Sequence, residues 1–405
     1  MTDILTPTTP ADLAAMLREA TNSNQIVVPC GAGTRMHIGY PPPADVIQLS
    51  TIRLSRVLDH VAPDMTVTVE AGMTLGALQE VLAQSNQWLP WDPPSAMTAT
   101  IGGLLATAAS GPLRLGYGTP RDWVLGMRVA LGDGRLVKSG GKVVKNVAGY
   151  DTHKLHIGAL GTLGVIAEVS FKVFPLPDQM RTLLAGCHDE SGALALAEKL
   201  RARPLAPVSM IVLQAGAEPL NPFAAPSGQY IVAARFAGVP AAVERQIAAA
   251  MDSAGASTLV IEDEQARDLW QRIANRSMPA DDSLIIRAAA RPSELGRVLG
   301  ALHGSVLPGA AGPEVWGYSG VGIAYGRWTL APDVDTSIVT AMLNRLRAAL
   351  APVDGYAVVE AAPPAMHAEL DLWGPAPATL PMMRAVREQW DGAAILNRGR
   401  YLRGL

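Results

Sequence analysis

Cysteine is almost absent from the chain: two in 405 residues, Cys30 and Cys187. So sparse a set builds no disulfide framework and leaves too few thiolates for an iron–sulfur cluster, so a reduced, cytoplasmic protein is expected. A basic excess is missing as well. The 33 Lys+Arg face 36 Asp+Glu, a formal net charge of −3, which argues against a general nucleic-acid binder, whose electrostatics need a basic surface. Charged residues make up 17% of the chain, below the usual ~25%, while the apolar share of 49% is that of an ordinary globular protein and excludes disorder. The opening MTDILTPTTPADL has neither a basic stretch nor an apolar core, and no secretory signal is expected.

An unbroken hydrophobic run is also lacking. Residues 93–113 (PPSAMTATIGGLLATAASGPL) carry no charge over a membrane-spanning length, yet Pro, Gly, Ser and Thr interrupt them throughout. The segment reads as an uncharged, buried turn region wrapped round something. Lysine is scarce too, at six against 27 arginines, and Lys138, Lys142, Lys145 and Lys154 fall in one short Gly-rich window, where Lys142 and Lys145 are either cofactor-facing or a solvated loop edge.

At about 150 residues per domain the length suggests two to three domains. Thr9-Pro10 followed by Asp12 starts a helix, with Leu13, Met16, Leu17 and Ala20 at helical spacing. Gln25–Pro29, Val46–Leu49 and the alternating TVTVE at 66–70 read as strands, and Leu75, Leu78 and Leu82 mark a helix. Residues 127–139 read as a hairpin with Asp133-Gly134 as a type I′ tip. A further strand at 164–174 runs into Pro175-Leu176-Pro177, taken as the end of the first domain. Beyond it, helical stripes (Val243, Ile247, Met251; Leu295, Val298, Leu299, Leu302; Ile338, Met342, Leu346, Leu350) alternate with strand-like runs such as Val208–Leu213 and Tyr230–Phe236, the pattern of an α+β domain.

Four glycine-rich segments crowd the first domain: PCGAGTR (29–35), TATIGG (98–103), GPLRLGYGTPRD (111–122) and GALGTLG (158–164). Glycine lets backbone N–H groups approach phosphate oxygens, and Arg35, Arg114 and Arg121 add charge, so a diphosphate-bearing cofactor is expected. A Rossmann site is excluded: Met36 stands where the third glycine belongs, and Pro41-Pro42-Pro43 cannot continue a helix. No Walker A sequence is present, so NAD and ATP enzymes are disfavoured.

The succession PCGAGTR, TVEAGMTLGALQ, LPWDPPSAMTATIGG, YGTPRDWVLGMRVALGDG, GGKVVKNVAGYDTHKL and GALGTLGVIAEVSFKVFP resembles the FAD-binding domain of the vanillyl-alcohol-oxidase (PCMH-type) flavoproteins. RDWVLG, GGKVVKNVAGYD, GTLGVIAEVSFKV and the terminal ILNRGR are most similar to the FAD-binding, E-type subunits of glycolate oxidases. The resemblance covers about residues 5–178, thins over 180–380 and returns at 389–405. It implies an α+β protein with a PCMH-type FAD-binding domain at 1–178, an α+β cap domain for substrate or partner at 179–380, and a segment at 381–405 that returns to the flavin.

Carried over by position, the resemblance makes Pro29, Cys30, Gly31, Ala32, Gly33, Thr34 and Arg35 the pyrophosphate loop. Thr98, Ala99, Thr100, Ile101, Gly102 and Gly103 would run beside pyrophosphate and flavin, with Ser110, Gly111 and Arg114. Gly161, Gly164, Val165 and Ile166 would reach adenine and ribose. Asn397 would come back from the far end of the chain, although Arg398 replaces the proline usual after it and Cys30 stands where glycine is common. The first loop holds no histidine (His37 lies beyond it), so FAD is expected to be non-covalent.

The implied activity is oxidation of glycolate, a small 2-hydroxy acid, by an FAD-dependent oxidoreductase subunit. Its implied partners are a second FAD-binding, D-type subunit and an iron–sulfur subunit, and membrane contact would come only through them. A stand-alone D-lactate or 2-hydroxy-acid dehydrogenase and a non-catalytic assembly subunit are the alternatives. Arg287 and Arg327 are candidate carboxylate clamps, since guanidinium binds carboxylate in bidentate fashion; no histidine base presents itself. His153-x-x-His156 has no third ligand nearby, and where related dehydrogenases carry a histidine-rich metal site this chain offers His303 alone, so no metal is expected. Cys30 reads as a small buried residue, and Trp88, Trp91, Trp316 and Trp328 as core.

Overall fold

Thr9 opens the first helix as its sequence dictates. Its hydroxyl accepts the Asp12 N–H at 3.0 Å while the Asp12 carboxylate accepts the Thr9 N–H at 3.0 Å, closing a capping box on helix Pro10–Asn22. The buried stripe Leu13, Leu17 and Ala20 then faces inward. The computed structural model describes residues 4–142, 149–202, 204–220, 226–255, 257–308, 312–403 and 405. They form two units, one from Met1–Ser110, Thr119–Leu176 and Pro375–Leu405, the other from Gly111–Gly118 and Pro177–Gly374.

In the first unit, strands β1 (Ile4–Leu5), β2 (Ile26–Cys30) and β3 (Val46–Ser50) form a parallel sheet in the order β1-β3-β2. Val27 and Leu49 are fully buried against Leu13 and Leu17, and Ile395 and Leu396 complete that core from the far end of the chain. Burial of each such side chain stabilises by about 1.5–3 kcal/mol. Strands β4 (Val57–Val61) and β5 (Thr66–Glu70) begin a second sheet, and β6 (Gln87–Trp88) follows in the chain. β7 (Val124–Ala130), β8 (Leu136–Gly140) and β9 (Val165–Lys172) complete the antiparallel order β4-β5-β9-β7-β8, and β10 (Phe174–Pro175) pairs with β6. Glu70, on β5, is wholly buried and is held by the Arg56 guanidinium at 2.7 Å.

The β7–β8 hairpin departs from the expected tip. The Leu131 carbonyl accepts the Gly134 N–H at 3.0 Å and the Leu131 N–H reaches the Arg135 carbonyl at 3.0 Å. Gly134 takes the left-handed conformation at φ 80° and Asp133 does not. The tip is therefore a longer turn ending in a left-handed glycine, not a two-residue type I′ pair.

The second unit is one antiparallel sheet of eight strands: β11 (Gln179–Cys187), β12 (Ser209–Gln214), β13 (Tyr230–Gly238), β14 (Thr258–Glu262), β15 (Ser283–Ala289), β16 (Glu314–Tyr318), β17 (Ile323–Thr329) and β18 (Tyr356–Ala361). Their spatial order is β14-β11-β13-β12-β16-β17-β15-β18. Alternation along β12 divides the core: Met210 and Val212 pack with helices Glu190–Ala202 and Pro240–Ala254, whereas Ile211 and Leu213 pack with helix Asp263–Asn275. Two apolar residues read into helical stripes lie outside the core. Met251 is 39% exposed, with Ala250 buried in its stead, and Ile338 is 36% exposed while Val339 turns inward.

Candidate functional site

The site is built where β2 ends. The chain leaves Cys30 and turns through Gly31–Arg35, with Gly33 at φ 77°, a conformation that favours glycine. Gly31 is required by proximity: a Cβ there would lie 2.0 Å from the Thr100 hydroxyl oxygen. Thr100 caps helix Ile101–Ala106 by accepting the Gly103 N–H, so the first glycine loop rests on the start of that helix. Between them run two adjoining clefts of about 60 Å³ each, which share Pro29, Cys30, Gly31, Gly103, Ala106, Leu160 and Asn397.

The last residues of the chain close these clefts. Val27 N–H donates to the Ile395 carbonyl at 2.8 Å and Asn397 N–H to the Val27 carbonyl at 2.9 Å, adding the terminal segment beside β2. Asp391, 2% exposed, fixes that segment by accepting the Ile395 and Leu396 N–H groups at 3.1 and 3.0 Å. Burial raises its carboxyl above the ordinary range against the pull of those two bonds. Asn397 then presents its amide: Nδ2 donates to the Leu160 carbonyl, while the buried Oδ1 has no hydrogen-bond partner. Arg400 enters from the same segment and donates to the carbonyls of Met36 (2.7 Å), Ile38 (2.9 Å) and Tyr40 (3.1 Å), tying down the stretch after the first glycine loop. Burial lowers its pKa from the ordinary arginine value. Arg35 and Arg400 line the clefts and no carboxylate does, an arrangement suited to a diphosphate.

Of the residues singled out in the sequence, Pro29–Arg35, Thr100, Gly103 and Asn397 line one cleft, and Gly102, Gly161, Gly164, Val165 and Ile166 line the adjoining one. Ala99 and Ile101 are buried in the core, Thr98 is exposed on a turn, and Ser110 is half-buried. Gly111 and Arg114 belong to the second unit. Sequence reasoning missed Arg400, Leu160, Thr107 and Thr51. Arg400 stands in the same terminal ILNRGR as Asn397, and Leu160 in the glycine segment 158–164, which were the signals available.

Other candidates find partners. Lys142 pairs with Asp59 at 2.7 Å; Lys145 lies outside the described residues. Arg287 donates to Glu360 at 2.6 Å and to the Tyr356 hydroxyl at 3.0 Å. Burial works against its charge, but Glu360, with Tyr325 and Tyr356, holds the guanidinium more firmly protonated than usual. Arg327 is half-buried on β17, opposite Ile285 and Glu314, on the sheet face that also carries Arg287 and Tyr325. His303 meets Glu190 at 2.8 Å. Among the described residues no three His, Cys, Asp or Glu side chains come together as a metal site. Nor, among them, is any helix long and apolar enough to cross a membrane.

Residues 3–140 match the family profile described as an FAD binding domain. The chain is 30% identical over 319 residues to D-2-hydroxyglutarate dehydrogenase of Xanthomonas citri pv. viticola, covering 74% of this chain and 67% of that protein. It is 31% identical over 182 residues to glycolate oxidase subunit GlcD of Bacillus subtilis (45% of this chain, 39% of that subunit). With glycolate oxidase subunit GlcE of Escherichia coli it shares 33% over 166 residues, 41% of this chain and 47% of that one, so each of these two matches spans less than half of the relative. In fold it is similar to p-cresol methylhydroxylase, with TM-score 0.73 at 13% identity over 98% of this chain and 88% of that one. A similar likeness links it to alkyldihydroxyacetonephosphate synthase, with TM-score 0.72 at 16% identity over 99% and 77%. The chain belongs to the family of FAD-binding flavoproteins that includes the Xanthomonas D-2-hydroxyglutarate dehydrogenase, and its fold is of the p-cresol-methylhydroxylase type.

Proposed function

We propose that the two clefts hold FAD non-covalently and that the chain is the FAD-binding subunit of a glycolate-oxidising complex. The observation that carries the cofactor site is Asn397 Oδ1, a buried acceptor without a partner, lining the same clefts as the loop that only a hydrogen-sized side chain at Gly31 permits. The residues present fit the group: Gly31–Arg35 and Gly103 would cradle the pyrophosphate, Gly161–Ile166 would border the adenosine, and Asn397 would accept from a hydroxyl. FAD, when bound, supplies a two-electron acceptor for the hydrogen on the carbon that bears the substrate hydroxyl.

The residues of the second unit would serve the substrate. Arg287 and Arg327 share a sheet face, and a carboxylate there would meet a guanidinium already oriented by Glu360. The substrate class, a small 2-hydroxy acid, is supported by the names of the glycolate oxidase subunits and the D-2-hydroxyglutarate dehydrogenase among the relatives. Those subunit names also support a multi-subunit enzyme, for which a second FAD-binding, D-type subunit and an iron–sulfur subunit are the proposed partners. A second reading, a dehydrogenase that works alone, is favoured by the 319-residue span of the match to the Xanthomonas enzyme.

The test is an anaerobic visible spectrum of the purified chain before and after glycolate, alone and then with its partner subunits. Flavin that bleaches only with partners present is the expected result. Bleaching in the isolated chain would establish the independent enzyme instead. A colourless chain that still binds its partners would leave it an assembly role.

A further inference from the structure

A larger cleft, of about 330 Å³, lies in the first unit over the edge strand β8 and is not used by the function proposed above. One wall is aliphatic: Met127, Val129 and Leu131 follow one another at alternate positions of β7 and the turn after it, with Val137 opposite on β8. Against it stands an aromatic pair, His156 stacked on Trp390 with ring centroids 4.9 Å apart and planes 13° from parallel. His156 is 4% exposed and its Nδ1 has no hydrogen-bond partner. Burial, with His153 alongside, depresses its pKa to about 4, so at neutral pH the pair is an uncharged platform. His153 is also buried and is tied through Nδ1 to the Ser139 hydroxyl at 3.1 Å.

None of its lining residues is acidic, and Arg135 stands exposed at its rim, whereas Lys138, opposite Arg128, projects from the other face of the β7–β8 ladder. Arg135 gives its Nε to Asp133 at 2.6 Å, which leaves its terminal nitrogens to a further acceptor. A flat uncharged floor, an aliphatic wall and the terminal nitrogens of one guanidinium at the rim together select a molecule with a planar apolar body and one anionic end. We propose that this cleft is a second ligand site, for a small aromatic or similarly flat carboxylate. His156 also lines one of the dinucleotide clefts, so the two sites share a wall. The inference stands on this cleft alone and not on the flavin reading.

The test is calorimetric titration of the full chain, with its flavin content measured, against 2-naphthoate as probe. Saturable 1:1 binding is expected. Arg135→Gln should weaken it about threefold, the scale of one exposed charge contact, while flavin content stays as in the parent. Val137→Trp, which fills the cleft from a half-buried strand position, should abolish binding. Absence of saturable binding in the parent, or equal binding by parent and both variants, would overturn the proposal. So would displacement of flavin by the probe, because the cleft would then be part of the dinucleotide site.

Discussion

Asn397 donates its side-chain amide to the carbonyl of Leu160, a residue 237 positions earlier, and so joins the end of the chain to the glycine segment 158–164. A Cβ at Gly161 would lie 3.2 Å from that same amide nitrogen. The terminal segment is thus built into the proposed cofactor site, and truncation or substitution there should act on flavin retention.

Arg400→Ala would strip a buried cation from the carbonyls of Met36, Ile38 and Tyr40. Leaving those acceptors unpaired should cost about 2–4 kcal/mol. The expected outcome is a lower melting temperature and protein purified with much less flavin, while Arg400→Lys keeps the charge but not the fork and falls between. Parent-like flavin content in Arg400→Ala would contradict this.

Gly31→Ala should drive its methyl into the Thr100 hydroxyl, the Cβ lying 2.0 Å from Oγ1. Overpacking of this kind costs about 1–3 kcal/mol, enough for roughly tenfold or more weaker FAD binding. Adding Thr100→Ala removes Oγ1 but leaves a Cβ at 3.0 Å, so the double variant should recover part of the affinity. Fluorescence titration of the flavin-stripped protein with FAD would read both steps.

Asp391→Ala removes the acceptor of the Ile395 and Leu396 N–H groups and should destabilise the first unit by about 2–3 kcal/mol, with earlier exchange of those amides and of the Asn397 amide. Asp391→Asn retains one oxygen and should lose less. Hydrogen exchange measured on peptides covering residues 391–400 distinguishes the two.

His156 makes a pH prediction with a definite sign. Its pKa falls from 6.5 in the unfolded chain to about 4 in the fold, so its contribution is present above pH 6.5 and is lost as pH falls toward 4. The loss for this group is on the order of 3 kcal/mol. His156→Phe, which keeps a ring against Trp390, should flatten that part of the melting-temperature profile. Parallel acid profiles for parent and variant would refute the assignment.

Glu360 is the partner that holds Arg287, at 2.6 Å. Glu360→Ala should destabilise the second unit by about 3 kcal/mol by leaving a half-buried cation unpaired. If Arg287 grips the substrate carboxylate, Arg287→Lys should raise KM for glycolate more than it lowers kcat. Steady-state kinetics of the full complex would show that split.

Much of the first unit could be read from local pattern. The capped helix at Thr9, the alternating strand Thr66–Glu70 and the glycine loop at Gly31–Arg35 each announce themselves within a few residues, because capping, alternation and tight turns are short-range. The hairpin tip was misread because Asp133-Gly134 suits two turn geometries, and the register of Leu131 against Arg135 selects between them. Met251 and Ile338 sit at the border of their helical stripes, where a shift of one residue exchanges core for solvent. Strands β11, β14 and β16 left no clear pattern; β11 and β16 are buried at consecutive positions along their middles and so lack alternation.

By itself, then, the sequence determined where backbone turns tightly, where helices start, which faces are apolar and where the glycine-rich loops crowd together. It also pointed to Asn397 through the terminal ILNRGR. Only the tertiary structure decided that Arg400 closes on Met36, Ile38 and Tyr40, that Asp391 holds the returning segment, that Arg287 is held by Glu360, and that His156 stands between two clefts. The reason is one of range: turns and caps are settled by neighbours in the chain, whereas a guanidinium or carboxylate finds its partner only once distant strands have packed.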